Sequence, residues 1–345
     1  MPDVLGGWSV SVAVAVFAVA AVVTVVGSTR LVALGDALAD RTGWGEALFG
    51  AVFFGLATSL SGIVMTTVTA LADQPELAYG NAVGGIAAQT TAVAVADACY
   101  RRVNLEHASA SLANLLFGSL LTAMLALALL GTFAPELTLA GIHPVSAALV
   151  GCYLGGLRLI RSTGARPLWE AVQTPETRPD VPQGHGTLDL RAVPWLWGRF
   201  ALVGAVVAVG GWAIAVAAGD LVAATGLSAG FVGAVLMGVV NALPETVTAI
   251  AAVRRGAVTL AVAVVLGGNC LDALNLVVGD AAYRGGSLYH AAGPDELFVT
   301  GAGLLMTALL VAGLLVRQSR GWGRLGFEGI ALLGTYLVVL LVLTR

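Results

Sequence analysis

The chain has 345 residues, of which 58% are hydrophobic and 11% charged, against roughly 45–50% and about 25% in ordinary globular proteins. Its 17 basic and 20 acidic side chains cannot coat that much apolar surface, and a mean hydropathy of +0.91 makes lipid the natural solvent, which excludes an ordinary soluble protein. A formal net charge of −3 leaves no surplus of cations for phosphates, which also excludes a basic nucleic-acid binder.

A hydrocarbon core about 30 Å thick needs about 20 apolar residues of helix. Windows that meet this need recur near 8–27, 44–72, 77–99, 109–131, 141–159, 195–218, 228–253, 258–279, 296–316 and 326–343. The expected fold is therefore all-α, a polytopic membrane protein with ten transmembrane helices. The first run, from Trp8 to Val26, is too long for a signal peptide and lacks a basic leader and an A-x-A site, so it reads as a true span. With the N-terminus outside, Arg284 and Arg345 fall outside and every other arginine falls on an inward end or loop, as retention of positive charge in the cytoplasm requires. One missed helix would invert every later loop, so span count and charge pattern support each other. Both termini are then expected outside the cell membrane. The polar stretch from Arg161 to Pro194, rich in proline, reads as a cytoplasmic linker between halves 1–160 and 195–345. Cys99, Cys152 and Cys270 have no C-x-x-C spacing and read as small core residues.

Self-comparison at an offset of 183 residues lays Gly55–Gly62 over Gly238–Glu245 and Asn81–Gln89 over Val264–Asp272. Identities at Gly55/Gly238, Leu60/Leu243, Leu77/Leu260, Gly84/Gly267 and Gly85/Gly268 are few. Each copy nevertheless begins in the second helix of a five-helix half and runs into the third. Five is odd, so the second copy crosses the membrane in the opposite sense. Two inverted-topology five-helix repeats place a binding site at their interface near the midplane.

Within the repeat, Asn241, Pro244 and Glu245 share the seventh span. Pro244 leaves the Val240 carbonyl without its helical donor, and Glu245 puts a carboxylate at a depth where charge is costly and marks an ion path. Asn269 and Asp272 lie one turn apart on the eighth helix and face the same way. Carboxylates, amides and freed carbonyls form the hard-oxygen set that suits sodium or calcium. A proline alone can be a kink and an asparagine alone an interhelical hydrogen bond; their coincidence with two acids at repeat-matched positions argues for a site. The glycine pairs Gly80/Gly84 and Gly267/Gly268 read as close-packing positions, and Asp97, Asp220 and Asp280 as solvated residues at helix ends. His107, His143, His185 and His290 have no ligand spacing. No HExxH, GxSxG or paired catalytic aspartate motif supports an intramembrane enzyme, and no cofactor is implied.

These residues resemble the membrane region of sodium/calcium exchangers, in the calcium/cation antiporter superfamily. That family repeats a pattern like G-T-S-x-P-E followed by G-N-x-x-G-S-N-x-x-[DN] in each half. Here the first copy reads Ala57-Thr58-Ser59-Leu60-Ser61-Gly62, then Gly80-Asn81 through Gly84-Gly85 to Gln89; the second reads Val240-Asn241-Ala242-Leu243-Pro244-Glu245, then Gly267-Gly268-Asn269 to Asp272. The resemblance implies that Thr58, Ser59, Glu245 and Asp272 are ion ligands, with Asn81, Gln89, Asn241 and Asn269 at neighbouring motif positions. It also implies an antiporter that moves calcium or a related cation against sodium or protons by alternating access, with inorganic cations and the bilayer as its partners. Ser61-Gly62 replaces the first-half Pro-Glu, so one of two chelating glutamates is absent. A divergent antiporter for another cation and a membrane scaffold that has lost transport are the alternatives. On the motif alone, Ser61→Pro with Gly62→Glu should raise calcium affinity.

Overall fold

A computed structural model describes residues 7–42, 55–100, 103–109, 111–165, 168, 170–175, 177, 193–321 and 325–345. Among them, ten apolar helices follow one another. They are α1 (Val10–Thr42), α2 (Gly55–Leu71), α3 (Pro75–Cys99), α4 (Leu112–Phe133), α5 (Pro144–Ala165), α6 (Val193–Thr225), α7 (Ala229–Arg254), α8 (Val258–Ala282), α9 (Pro294–Val316) and α10 (Phe327–Leu343). They follow the ten expected spans in order. Residues 44–54 of the second expected span, Arg101, Arg102, Arg324, His185 and most of the 161–194 linker lie outside the described residues. Among the described residues, seven helices have the length and apolarity to cross a membrane, while Thr58–Leu71 and α10 are shorter apolar segments. The remaining helix, α5, has the length but carries Arg158 and Arg161 toward its C-terminal end.

Local chemistry sets several helix ends. Pro75, Pro144 and Pro294 open α3, α5 and α9, where the missing N–H costs nothing. Gly256, at φ +84°, makes the left-handed turn from α7 to α8. Two helices are broken inside. A wide π turn at Val232–Met237 precedes Gly238 in α7, and α8 divides at Leu274 into Val258–Ala273 and Asn275–Ala282. Such interruptions recur at functional positions in membrane helices.

Burial separates the layers: 78% of the apolar window of α3 is enclosed by other helices, against 22% for α1. Helix α3 is thus the axis of the bundle, and α1 lies against α6 with Val12, Val19 and Val22 turned to lipid. Lipid tails are as apolar as leucine, so burial from water does not hold these helices together; close packing does. Leu121, Met124 and Leu125 of α4 fill one such core with Val262 and Leu266 of α8 and Met306 and Leu310 of α9. Between α3 and α7 the backbones themselves touch. A Cβ on Gly84 would stand 2.1 Å from the Ala234 carbonyl oxygen, and one on Gly238 2.7 Å from the Gly84 carbonyl carbon. Gly80 meets Ala234 in the same way, at 3.1 Å. The packing role expected of Gly80 and Gly84 is therefore found, but not that of Gly267, which has no atom within 4 Å of its Cβ position.

Asp97 and Asp280, expected to be solvated, are fully buried. Asp280 accepts from the backbone N–H of His143 (2.8 Å) and of Leu288 (3.1 Å) and from the Ser146 hydroxyl (2.7 Å), and so ties the start of α5 to the end of α8. Asp220 stays at the surface, where it accepts from Gly7 and Trp8 ahead of α1. Asp97 accepts from the Leu105 N–H at 2.6 Å and faces Glu106, on the helical turn Leu105–Ala108, and Glu328 of α10. His107 and Arg317 complete this corner, with the Arg317 guanidinium donating to the His107 carbonyl at 3.0 Å and to the Val172 carbonyl at 2.6 Å. Burial first, and then the negative charges of Asp97 and Glu328, hold the Glu106 carboxyl well above the usual carboxylate range.

The folded protein consequently keeps a proton on Glu106 that the unfolded chain releases near pH 4.3 or so, and folding stability falls as pH rises above that range. Glu106→Gln should remove this contribution. Thermal melting in detergent from pH 5 to pH 8 should then decline less steeply for the variant, and identical slopes would contradict the assignment.

Candidate cation site

The central polar residues come from four helices. Thr58 and Ser59 stand on α2, Asn81 and Gln89 on α3, Asn241 and Glu245 on α7, and Asn269, Asp272 and Asn275 on α8, and each is at most 2% exposed. The glycine contact brings α3 and α7 together, and Gln89 of α3 and Asn241 of α7 both bond to Asp272 of α8. Pro244 sits inside α7 between Asn241 and Glu245 and denies the Val240 carbonyl its helical N–H.

Asp272 is the hub. Its Oδ2 accepts from Gln89 Nε2 at 2.5 Å and from Asn241 Nδ2 at 3.1 Å, and its Oδ1 accepts from Asn275 Nδ2 at 3.2 Å. Ser59 also faces this carboxyl. Glu245 is different: neither of its oxygens has a hydrogen-bond donor at normal geometry among the described residues, and Thr58 is the hydroxyl turned toward it. The two carboxyls lie within electrostatic reach of each other. Gln89 Oε1 and Asn241 Oδ1 are also buried acceptors without a donor among the described residues.

Two expected residues turn their amide N–H groups to structural partners. Asn81 donates to the Gly62 carbonyl at 3.2 Å and to the Thr66 hydroxyl at 2.9 Å, and Asn269 donates to the Thr90 hydroxyl at 2.9 Å. They pin α3 to α2 and to α8 beside the carboxylates. Asn275 belongs to the site and was not expected. Its spacing of three residues from Asp272, repeating the step from Asn269 to Asp272, was the available signal.

The contacts follow the internal repeat. Gln89 and Asp272, 183 residues apart, are repeat equivalents and bond directly to each other. The same offset relates Thr58 to Asn241 and Gly62 to Glu245. The Thr58–Glu245 pair therefore has a counterpart in Asn241–Gly62, where a Cβ on Gly62 would stand 2.4 Å from Asn241 Oδ1. Gly85 and Gly268 are likewise equivalent. A Cβ on Gly85 would stand 2.7 Å from Asn241 Nδ2, and one on Gly268 3.2 Å from Gln89 Oε1 and 3.4 Å from Glu245 Cγ.

A cavity of about 640 Å³ runs from Arg255, at the α7–α8 turn, past Val247, Leu260 and Leu271 to Thr58 and Gly268. Its inner end flanks Glu245. Toward the other end of α8, Gly279 packs against Thr66 and Leu288. Buried carboxylates and amides from four helices of two repeat copies, beside a cavity that reaches Thr58 and Gly268, define a polytopic cation transporter.

The chain belongs to the sodium/calcium exchanger protein family, whose model matches residues 12–157 and 195–345. Solved structures agree on the fold. A structure of an H+/Ca2+ exchanger, CAX, superposes with a TM-score of 0.68 at 12% identity, covering 96% of this chain and 84% of that one. Native YfkE gives 0.61 at 16% identity, covering 95% and 91%. The sodium-calcium exchanger NCX_Mj, soaked with sodium and strontium, gives 0.60 at 16% identity, covering 96% and 99%. No match is found among curated protein sequences.

Proposed function

We propose that this exchanger-family antiporter moves calcium or a related cation against sodium or protons, with Glu245, Asp272, Thr58, Ser59, Asn241 and Gln89 forming the ion site and Asn81 and Asn269 bracing it. The observation that carries this reading is the pair of fully buried carboxyls, Glu245 and Asp272, with Glu245 beside the Thr58 and Gly268 end of a cavity. A divalent ion taken out of water requires about two compensating charges, and an uncompensated carboxylate there would be costly. Oxygen donors and two negative charges therefore favour a hard divalent cargo, and protons or sodium compete for the same carboxylate oxygens on the return step. The H+/Ca2+ exchanger CAX and the sodium-calcium exchanger NCX_Mj supply one precedent for each counter-ion.

Alternating access needs a site open to one side at a time. The cavity opens beside Arg254 and Arg255, which the distribution of arginines assigns to the cytoplasm, so this is an inward-facing arrangement with both termini outside the cell membrane. Halves 1–160 and 195–345 then rock about the shared site, joined by the cytoplasmic 161–194 linker. Uptake of calcium, magnesium, manganese, sodium and potassium by reconstituted vesicles, driven in turn by sodium and by pH gradients, tests the reading. One cation should move in exchange for one of the two drivers, and absence of gradient-driven flux for all five would overturn it.

A further inference from the structure

We infer that the cation occupies a single position, between Glu245, Thr58 and Gln89 Oε1 against Gly268, and that the symmetry-related position between Gly62 and Gly85 is filled by the protein's own Asn241 amide. This rests on the transport reading above and adds which of the repeat-related positions holds the cargo. The repeat creates two pockets of the same plan. Each has a glycine on the third helix of its half, Gly85 or Gly268, and a pair formed by the second helices of the two halves. In one pocket that pair is Asn241–Gly62 and in the other it is Thr58–Glu245.

The first pocket is full. The Asn241 side chain lies so close to both glycines that a Cβ would stand 2.4 Å from its Oδ1 at Gly62 and 2.7 Å from its Nδ2 at Gly85. The same Nδ2 donates to Asp272. An amide N–H held against a carboxylate stands where a cation would otherwise provide the positive partner.

The second pocket is open and carries buried acceptors, whereas in the first the one such acceptor, Asn241 Oδ1, belongs to the side chain that fills it. Among the described residues no donor bonds to either Glu245 oxygen or to Gln89 Oε1 at normal geometry, the Thr58 hydroxyl being turned toward Glu245, and the missing Gly268 side chain leaves the gap between them. The cavity ends here, at Thr58 and Gly268. Carboxylate, amide carbonyl and hydroxyl oxygens form a ligand set for a hard cation, whereas three amide N–H groups in the same place would not. Buried acceptors without donors are costly, so a set of them at the end of a cavity is accounted for by a cation.

Asp272 then acts at one remove. Its oxygens are occupied by N–H donors from Gln89, Asn241 and Asn275, so it supplies negative charge without offering a free ligand oxygen. By holding Gln89 Nε2 it turns Gln89 Oε1 toward Gly268. Asp272 is thus a positioning residue and Glu245 a direct ligand.

Equilibrium binding of radioactive calcium to the purified full-length protein, alongside the flux survey, tests this. Wild type should bind one calcium per chain with a Hill coefficient of 1. Gly268→Ala should weaken binding about tenfold or more by crowding Gln89 Oε1 and Glu245. Gly267→Ala, whose Cβ would face open cavity with no atom within 4 Å, should bind as wild type does. Asp272→Asn should keep the one-to-one stoichiometry at reduced affinity, and should weaken calcium more than sodium because one of two charges is gone. Two calcium ions per chain, a neutral Gly268→Ala, or an Asp272→Asn variant as devoid of binding as Glu245→Gln would each overturn the single position while leaving the transporter reading intact. If wild type neither binds calcium nor moves any of the five cations, the transporter reading falls and this inference with it.

Discussion

Glu245→Gln is expected to reduce cation uptake by reconstituted protein to background while leaving thermal stability in detergent equal to or above that of wild type. The carboxylate is fully buried, and among the described residues no donor bonds to either oxygen at normal geometry, with only the Thr58 hydroxyl turned toward it. Removing its charge therefore deprives a cation of its main anionic ligand and deprives the fold of nothing of equal weight. This separates it from Asp280, also fully buried, whose three donors tie α5 to α8. The comparison is direct: uptake and melting temperature measured on the same preparations. Unchanged uptake by Glu245→Gln would remove this residue from the site, and a collapse in melting temperature would make its role structural.

The second large effect reverses what the motif alone suggests. Restoring the family pattern with Ser61→Pro and Gly62→Glu is expected to lower calcium affinity and stability, because the first added carbon would stand 2.4 Å from Asn241 Oδ1 and 3.0 Å from Asn275 Nδ2. Overpacking of this kind costs about 1–3 kcal/mol even when neighbours shift. Gly62→Glu combined with Asn241→Thr should behave otherwise. That pair reproduces, at the equivalent position, the hydroxyl–carboxylate arrangement that Thr58 and Glu245 already form. The double variant should regain the stability lost by Gly62→Glu alone and bind calcium at least about tenfold more tightly than that single variant, a gain of about 1.4 kcal/mol. Calcium titration and melting of Gly62→Glu, Asn241→Thr and the double variant close the cycle. Strict additivity of the two single effects would show that positions 62 and 241 do not compete for one space.

The one-dimensional pattern carried the membrane architecture because the bilayer imposes a local rule. Each crossing segment must satisfy its own backbone hydrogen bonds over a fixed thickness, so every span announces itself as an apolar window. The alternation of arginine with those windows gives an expected orientation, and the offset of 183 residues relates Gln89 to Asp272, which the fold brings into contact. The candidate ligands Glu245, Asp272, Thr58, Ser59, Asn241 and Gln89 were legible for the same reason, since a polar residue in an apolar window is conspicuous. Where each polar group points was not legible. Asn81 and Asn269 turn to Thr66 and Thr90, Asn275 joins the site, and Asp97, Glu106 and Glu328 meet although they come from distant parts of the chain. The vacancy at Gly62 reads in the motif as a missing ligand, yet in the fold it is the space that Asn241 occupies. Helical periodicity assigns a residue to a face of its own helix and no further. Which side chain fills which gap depends on how closely and at what angle two helices cross, and here that was decided by the backbone contact of Gly84 with Ala234 and Gly238, a property of the pair of helices that neither segment contains alone.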